Sequence, residues 1–136
     1  MPELHGQEHV ERYRATDGKE GHYWRDALVL LLTTTGRKSG ERRTTPLLYG
    51  RRGDDVVLIA SNGGAPAHPP WYLNLKAAPE VEVQIKGERF KCRAREATTE
   101  ERPELWRTMA GYYPPYDQYQ RRTEREIPVI VVERVD

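Results

Sequence analysis

The sequence predicts a mainly β (α+β) domain: a small antiparallel barrel of about six strands carrying two or three short helices. Three observations carry that expectation. Apolar residues gather into runs of strand length, most neighbouring runs are joined by brief turns marked by glycine or proline, and too few helical stretches intervene to build alternating βαβ units.

The strands can be placed in order. Ala27 to Thr35 is a continuous apolar and β-branched run, as expected of a strand buried on both faces, and its three threonines followed by Gly36 favour strand over helix. Arg43 to Gly50 reads as a second strand, with Pro46 marking an edge or a bulge. After the turn Arg51-Arg52-Gly53-Asp54, Asp55 to Ser61 is a third. Val81, Val83 and Ile85 then alternate with Glu82, Gln84 and Lys86. Gly87 turns the chain into Phe90, Cys92 and Ala94, which gives a hairpin with one wet face. Ile127 to Val132 closes the set.

Between these runs, Pro69 to Pro79 reads as a short helix, because proline is tolerated in a first turn and Pro79 stops it. Thr98 and Glu101 have the spacing of a capping box, ahead of Leu105, Trp106, Met109 and Tyr113 on one helical face. Residues 1–25 are polar, anchored only by Val10, Tyr13 and Trp24, and read as an N-terminal arm that is helical in part. Residues 26–136 form the barrel domain, and 136 residues suffice for one core.

Composition narrows the function. Charged residues make up 32% of the chain, yet the net charge is only +1, which argues against a nucleic-acid surface and leaves room for a local anion site. The single Cys92 excludes an internal disulfide or a cysteine metal cluster and is expected as a half-buried strand residue. His5, His9, His22 and His68 lack metal-ligand spacing, so no metal is expected and all four are expected at the surface. The start of the chain does not read as a signal peptide, and the run Ala27 to Leu32 is far shorter than the ~20 residues of a membrane span. The expected location is cytoplasmic, with contact at a membrane face left open.

Three segments carry candidate chemistry. In the first, Gly36 and Gly40 bracket Arg37, Lys38 and Ser39, with Arg43, Thr45 and Pro46 following. Tight turns that present backbone N–H groups among cationic donors suit a phosphate or a polycarboxylate. Lys38-Ser39 precedes the second glycine, so this is not a nucleotide-binding P-loop; a solvated basic turn is the plain alternative. In the second, Ala60-Ser61-Asn62-Gly63-Gly64 leads from a strand into the helix beginning Pro70-Trp71, a geometry that offers N–H groups to an anion or a ring carbonyl. An ordinary turn fits the same residues. In the third, Tyr113, Tyr116 and Tyr119 recur at intervals of three, suited either to walling a pocket over a planar ligand or to packing a C-terminal helix. Glu124-Arg125-Glu126 reads as a solvated mixed-charge face.

Taken together, Leu32 to Gly40, Arg43 and Pro46, Ala60-Ser61 with Gly63-Gly64, Trp71 to Leu75, and Val83 to Ile85 resemble the deazaflavin-dependent nitroreductase family in order and spacing. The resemblance implies a split β-barrel that binds coenzyme F420, a deazaflavin with a phosphate and an oligoglutamate tail. It implies that Arg37, Lys38, Ser39, Gly40 and Arg43 hold the phosphate and tail. The ring would then lie against Pro46, Ala60, Ser61, Pro70 and Trp71, with Asn74 nearby, and Thr45, Gly63 and Gly64 would be further cofactor-binding positions. It further implies catalytic roles for Ser61, Tyr113, Tyr116 and Tyr119 at the acceptor. Leu48 stands where better-known members carry tyrosine, so nitroimidazole reduction does not carry over directly.

The function so implied is hydride transfer from reduced F420 to an electron-poor acceptor such as a quinone, a nitroaromatic or an unsaturated lactone, by a monomer or homodimer. Two alternatives fit the same residues: an FMN-binding reductase of the same barrel type, and a non-catalytic protein that sequesters F420.

Overall fold

The computed structural model describes residues 6–24 and 27–135. Its first half runs α1 (Gly6–Thr16), β1 (Tyr23–Trp24), β2 (Ala27–Thr35), β3 (Arg42–Leu48), β4 (Gly50–Arg52), β5 (Asp55–Ile59) and α2 (Pro70–Ala77). The second half runs β6 (Glu80–Ile85), β7 (Glu88–Glu96), α3 (Arg102–Tyr112), α4 (Pro115–Arg122) and β8 (Val129–Arg134), and a single 3-10 turn covers Asn62–Gly64.

Every strand pairing among the described residues is antiparallel. One edge of β2 takes β3, and the other takes β1 and β6. From β6 the sheet continues through β7, β8 and β5 to β4. Only Tyr49 separates β3 from β4, so one bent run over residues 42–52 pairs with β2 at its start and with β5 at its end. That run closes the sheet into a split barrel. Counting it as one strand, the barrel has the six strands expected, with the two-residue β1 added at the rim. The helices exceed the expected two or three because the arm contributes α1 and the tyrosine segment folds as α4.

The pattern of burial explains the sequence. Leu30 and Leu32 of β2, Val56 and Leu58 of β5, and Ile130 and Val132 of β8 fill the barrel interior with Val83 and Phe90. The other face of β2, Val29 and Leu31, is covered by Val10 and Tyr13 of α1. The other faces of β5 and β8 are covered by Leu105, Met109 and Tyr116 from α3 and α4. Strands covered on both sides need apolar residues at consecutive positions, and each such side chain contributes about 1.5–3 kcal/mol on burial. By contrast, β7 turns Arg89, Lys91 and Arg93 outward and Phe90, Cys92 and Ala94 inward, so the hairpin has its wet face. Cys92 is fully rather than half buried, at 1% exposure.

The capping box forms as the sequence predicts. The Thr98 N–H donates to Glu101 Oε1 at 2.8 Å and the Glu101 N–H to Thr98 Oγ1 at 3.2 Å. Arg95 grips the same carboxylate with two nitrogens at 2.7 and 3.1 Å, and Arg52 joins it. These contacts, Arg95 foremost, hold the Glu101 carboxyl well below the usual range.

Two of the four histidines depart from the expected surface positions. His9 and His22 are 4% and 5% exposed because α1 folds onto β2 and buries them. His9 Nε2 bonds to the Gly21 carbonyl at 2.7 Å. His22 Nδ1 lies 3.1 Å from the Val29 carbonyl, beside the Tyr13 hydroxyl, and burial lowers its pKa. His68 is half-buried, and His5 lies outside the described residues. No described helix is long and apolar enough to cross a membrane.

Candidate functional site

A cavity of about 510 Å³ lies where β3, β5, the 3-10 turn and the helices α2 and α4 converge. Each wall follows from local structure. Thr45 to Leu48 of β3 and Leu58 and Ile59 of β5 supply the largely apolar floor. The strand β5 ends at Ile59, and the chain turns through Ser61, Asn62 and Gly63 along one side. Pro69 and Pro70, whose fixed φ suits a helix start, deliver Trp71 beside them. Tyr113, Tyr116 and Tyr119 close the opposite wall, and Gly6, His9 and Trp24 from the N-terminal segment complete it.

The three tyrosines meet as the sequence suggests, though only Tyr116 and Tyr119 share a helix. Tyr113 sits at the end of α3, with its ring centroid 5.0 Å from Tyr116 and 6.3 Å from Tyr119. Its hydroxyl lies 3.3 Å from that of Tyr119. Burial pushes the Tyr116 hydroxyl well above the ordinary tyrosine value, so it stays a neutral O–H at physiological pH. Neither it nor the Ser61 hydroxyl has a hydrogen-bond partner among the described residues.

The basic loop stands at the far end of β3. It is a closed turn: the Gly36 N–H donates to Glu41 O at 2.7 Å and the Gly40 N–H to Gly36 O at 2.9 Å, with Gly40 at φ +74°. Arg37 is tied to Asn74 of α2, whereas the exposed Lys38 has no ion pair among the described residues. Arg43 lies 3.8 Å from Glu41, an exposed and weak pair. From Arg43 to Pro46 is three strand residues, roughly 10 Å, so the cationic loop flanks the cavity without walling it.

Of the residues singled out from sequence, Thr45, Pro46, Ser61, Gly63, Pro70, Trp71 and the three tyrosines line the cavity. Arg37, Lys38, Ser39, Gly40 and Arg43 form the exposed loop beside it. Asn74 is buried behind that loop, Ala60 points into the barrel interior, and Gly64 is packed beneath α4.

Arg125 is the correction. Rather than lying on a solvated face, its guanidinium donates to the carbonyls of Ala60, Ser61 and Ala65 and to His68. Burial lowers its pKa, although arginine keeps its charge at neutral pH. No local spacing signals this role. Beneath α2, the Tyr72 hydroxyl donates to Glu96, which also pairs with Lys76 at 3.0 Å. Burial pushes Glu96 up, but these bonds outweigh it and hold the carboxyl below its usual value.

Against known proteins, residues 5–134 match the model of the family described as F420H(2)-dependent quinone reductase. The chain belongs to that family. An F420H(2)-dependent quinone reductase of Mycobacterium tuberculosis is 42% identical over 79 residues, which cover 55% of this chain and 52% of that protein. The chain thus spans about half the length of such curated relatives of the quinone reductase family. A solved structure named as an F420-H2 dependent reductase is 44% identical with a TM-score of 0.72, covering 77% of this chain and 93% of that one. Another, described as a domain-swapped dimer, is 41% identical with a TM-score of 0.75 over 91% of each chain. A Vibrio cholerae heme storage protein, at 11% identity and a TM-score of 0.62, shares the fold alone. The family resemblance read from the motifs and the split-barrel expectation are both borne out.

Proposed function

We propose that this chain binds coenzyme F420 and carries out hydride transfer from its reduced form to a quinone. The observation that carries the reading is one arrangement: a cavity of about 510 Å³ with aromatic and apolar walls, flanked by a separate cationic turn. A flat ring with an anionic tail needs both parts. The donor set fits, because Lys38, which has no ion pair among the described residues, the anchored Arg37 and the backbone of a closed glycine turn suit phosphate and carboxylate oxygens. When bound in its reduced form, the coenzyme supplies a hydride.

The residues of the chain do the rest. Pro46, Trp71 and the floor of β3 and β5 fix the ring plane and exclude water. Ser61 and Tyr116 line the cavity with hydroxyls that have no hydrogen-bond partner among the described residues, and stabilise charge developing on an acceptor oxygen. Tyr113 and Tyr119 hold each other and form the acceptor wall. Proton delivery to the reduced acceptor comes from solvent or from a tyrosine O–H. Nitroaromatics and unsaturated lactones satisfy the same electronic requirement and belong in the acceptor panel.

The test is anaerobic oxidation of reduced F420 with menadione as acceptor. Protein-dependent acceleration is expected. Binding without acceleration across the panel would support a sequestering protein, and retention of FMN in preference to F420 would support a flavin reductase. We also propose a homodimer, the assembly in which one solved relative is described; light scattering should give twice the monomer mass.

A further inference from the structure

We infer that Arg125 is a positioning residue for this site: its guanidinium holds residues 60–65 so that the backbone N–H groups of Ser61 and Asn62 face the ligand cavity. The inference rests on the reading that the cavity takes F420.

One guanidinium makes four contacts. Nη2 donates to Ser61 O at 2.8 Å, and Nε donates to Ala65 O at 3.0 Å. Nη1 donates to Ala60 O at 3.3 Å and to His68 Nδ1 at 3.1 Å. In a trans peptide the C=O and the next residue's N–H point in opposite directions, and no described peptide is cis. Drawing the Ala60 and Ser61 carbonyls toward Arg125 therefore turns the Ser61 and Asn62 N–H groups away from it. The opposite side is the cavity, which Ser61, Asn62 and Gly63 line.

The backbone reinforces that orientation. Ser61 is right-handed helical at φ −76° and ψ −35°, and Asn62 and Gly63 follow in the left-handed region at φ 48° and 64°. That succession curls consecutive N–H groups into a concavity suited to an atom bearing negative charge. The N–H groups of Gly64 and Ala65 are used within the turn, whereas those of Ser61, Asn62 and Gly63 have no partner among the described residues.

A lysine cannot reproduce the grip, because it offers a point charge instead of a planar fork of five donors. Since Arg125 can only donate, His68 Nδ1 must be the bare nitrogen and Nε2 carries the hydrogen. The His68 ring lies 4.6 Å from Tyr72, which links the clamp to α2.

The experiment compares Arg125→Lys, Arg125→Ala and the exposed control Arg121→Lys by melting temperature, F420 fluorescence titration, and kcat and KM for menadione. At temperatures where each variant is folded, Arg125→Lys is expected to weaken F420 binding by about tenfold, a loss of about 1.4 kcal/mol, while Arg121→Lys matches the parent. Added guanidinium should restore binding to Arg125→Ala, and ammonium at equal concentration should not. In the parent, saturating F420 should slow amide exchange at Ser61 and Asn62, a measurement that decides the matter even where the variants fail to fold. A lowered melting temperature with parental affinity, kcat and KM would overturn the assignment, as would unchanged exchange at both amides. A parent that does not bind F420 overturns the function as well; a parent that binds, with indifferent variants, overturns only Arg125.

Discussion

Asn74 holds Arg37 at two points of the same residue: its Oδ1 accepts the Arg37 backbone N–H at 3.1 Å and the guanidinium at 3.0 Å. Asn74 lies on α2, one turn after the cavity-lining Trp71, so this pair fixes the cationic turn relative to the cavity. Asn74→Ala is expected to weaken F420 binding by about tenfold, about 1.4 kcal/mol, with a smaller change in kcat. Fluorescence titration beside steady-state kinetics checks this, and an unaltered affinity would detach the turn from the site.

Gly64 sets the distance between the 3-10 turn and α4. It adopts φ +82°, and a Cβ there would meet the Tyr119 carbonyl oxygen at 2.7 Å. Gly64→Ala should therefore push Tyr119 out of the tyrosine wall of the cavity. The expected result is a fall in kcat/KM for quinone of about tenfold or more, because the displaced contact is backbone and cannot swing aside. Kinetics on the folded variant, with circular dichroism as the control, decide it.

Tyr13 anchors α1 against β2. Its hydroxyl accepts the Lys86 N–H at 2.7 Å and donates to the Val29 carbonyl at 3.1 Å, and burial pushes its pKa up to about 12. Tyr13→Phe leaves the Lys86 N–H without that acceptor and should cost about 1–3 kcal/mol of stability. Denaturant melts measure the difference. A loss below a few tenths would mean that α1 is not held by this network.

Glu101 makes stability depend on pH. Its folded-state pKa is depressed, chiefly by Arg95, so its contribution is fully present above the unfolded glutamate pKa of about 4.3 and is lost as pH falls from there through the folded value. Glu101→Gln should lower stability by about 1–2 kcal/mol at pH 7. The gap between parent and variant should narrow as the pH drops below about 4. A gap that stays constant down to pH 2 would contradict the charge-based account.

What the sequence reveals depends on how local the physics is. The runs of β2, β5 and β8 are legible because burial on both faces demands consecutive apolar residues, and the hairpin of β6 and β7 because one wet face imposes alternation. The capping box and the glycine turn are legible because each is closed within a few residues. Helix α1 shows faintly, since it buries only His9, Val10 and Tyr13 in an otherwise polar stretch. Arg125 does not show at all: flanked by Glu124 and Glu126, it looks solvated, yet its acceptors lie about sixty residues earlier in the chain. The bend at Tyr49 that closes the barrel is likewise a property of pairing with β2 and β5 and not of its own residues.

In the proposed function, one chain holds F420 in the cavity and its anionic tail on the neighbouring turn. Fluorescence titration of F420 into the parent protein and into Lys38→Ala tests it most directly. The parent should bind with micromolar or better affinity, and the variant should lose about 1.5–3 kcal/mol, the worth of one charge-assisted contact. The absence of quenching in the parent would contradict the account, and equal affinity in the two proteins would remove Lys38 from the tail site.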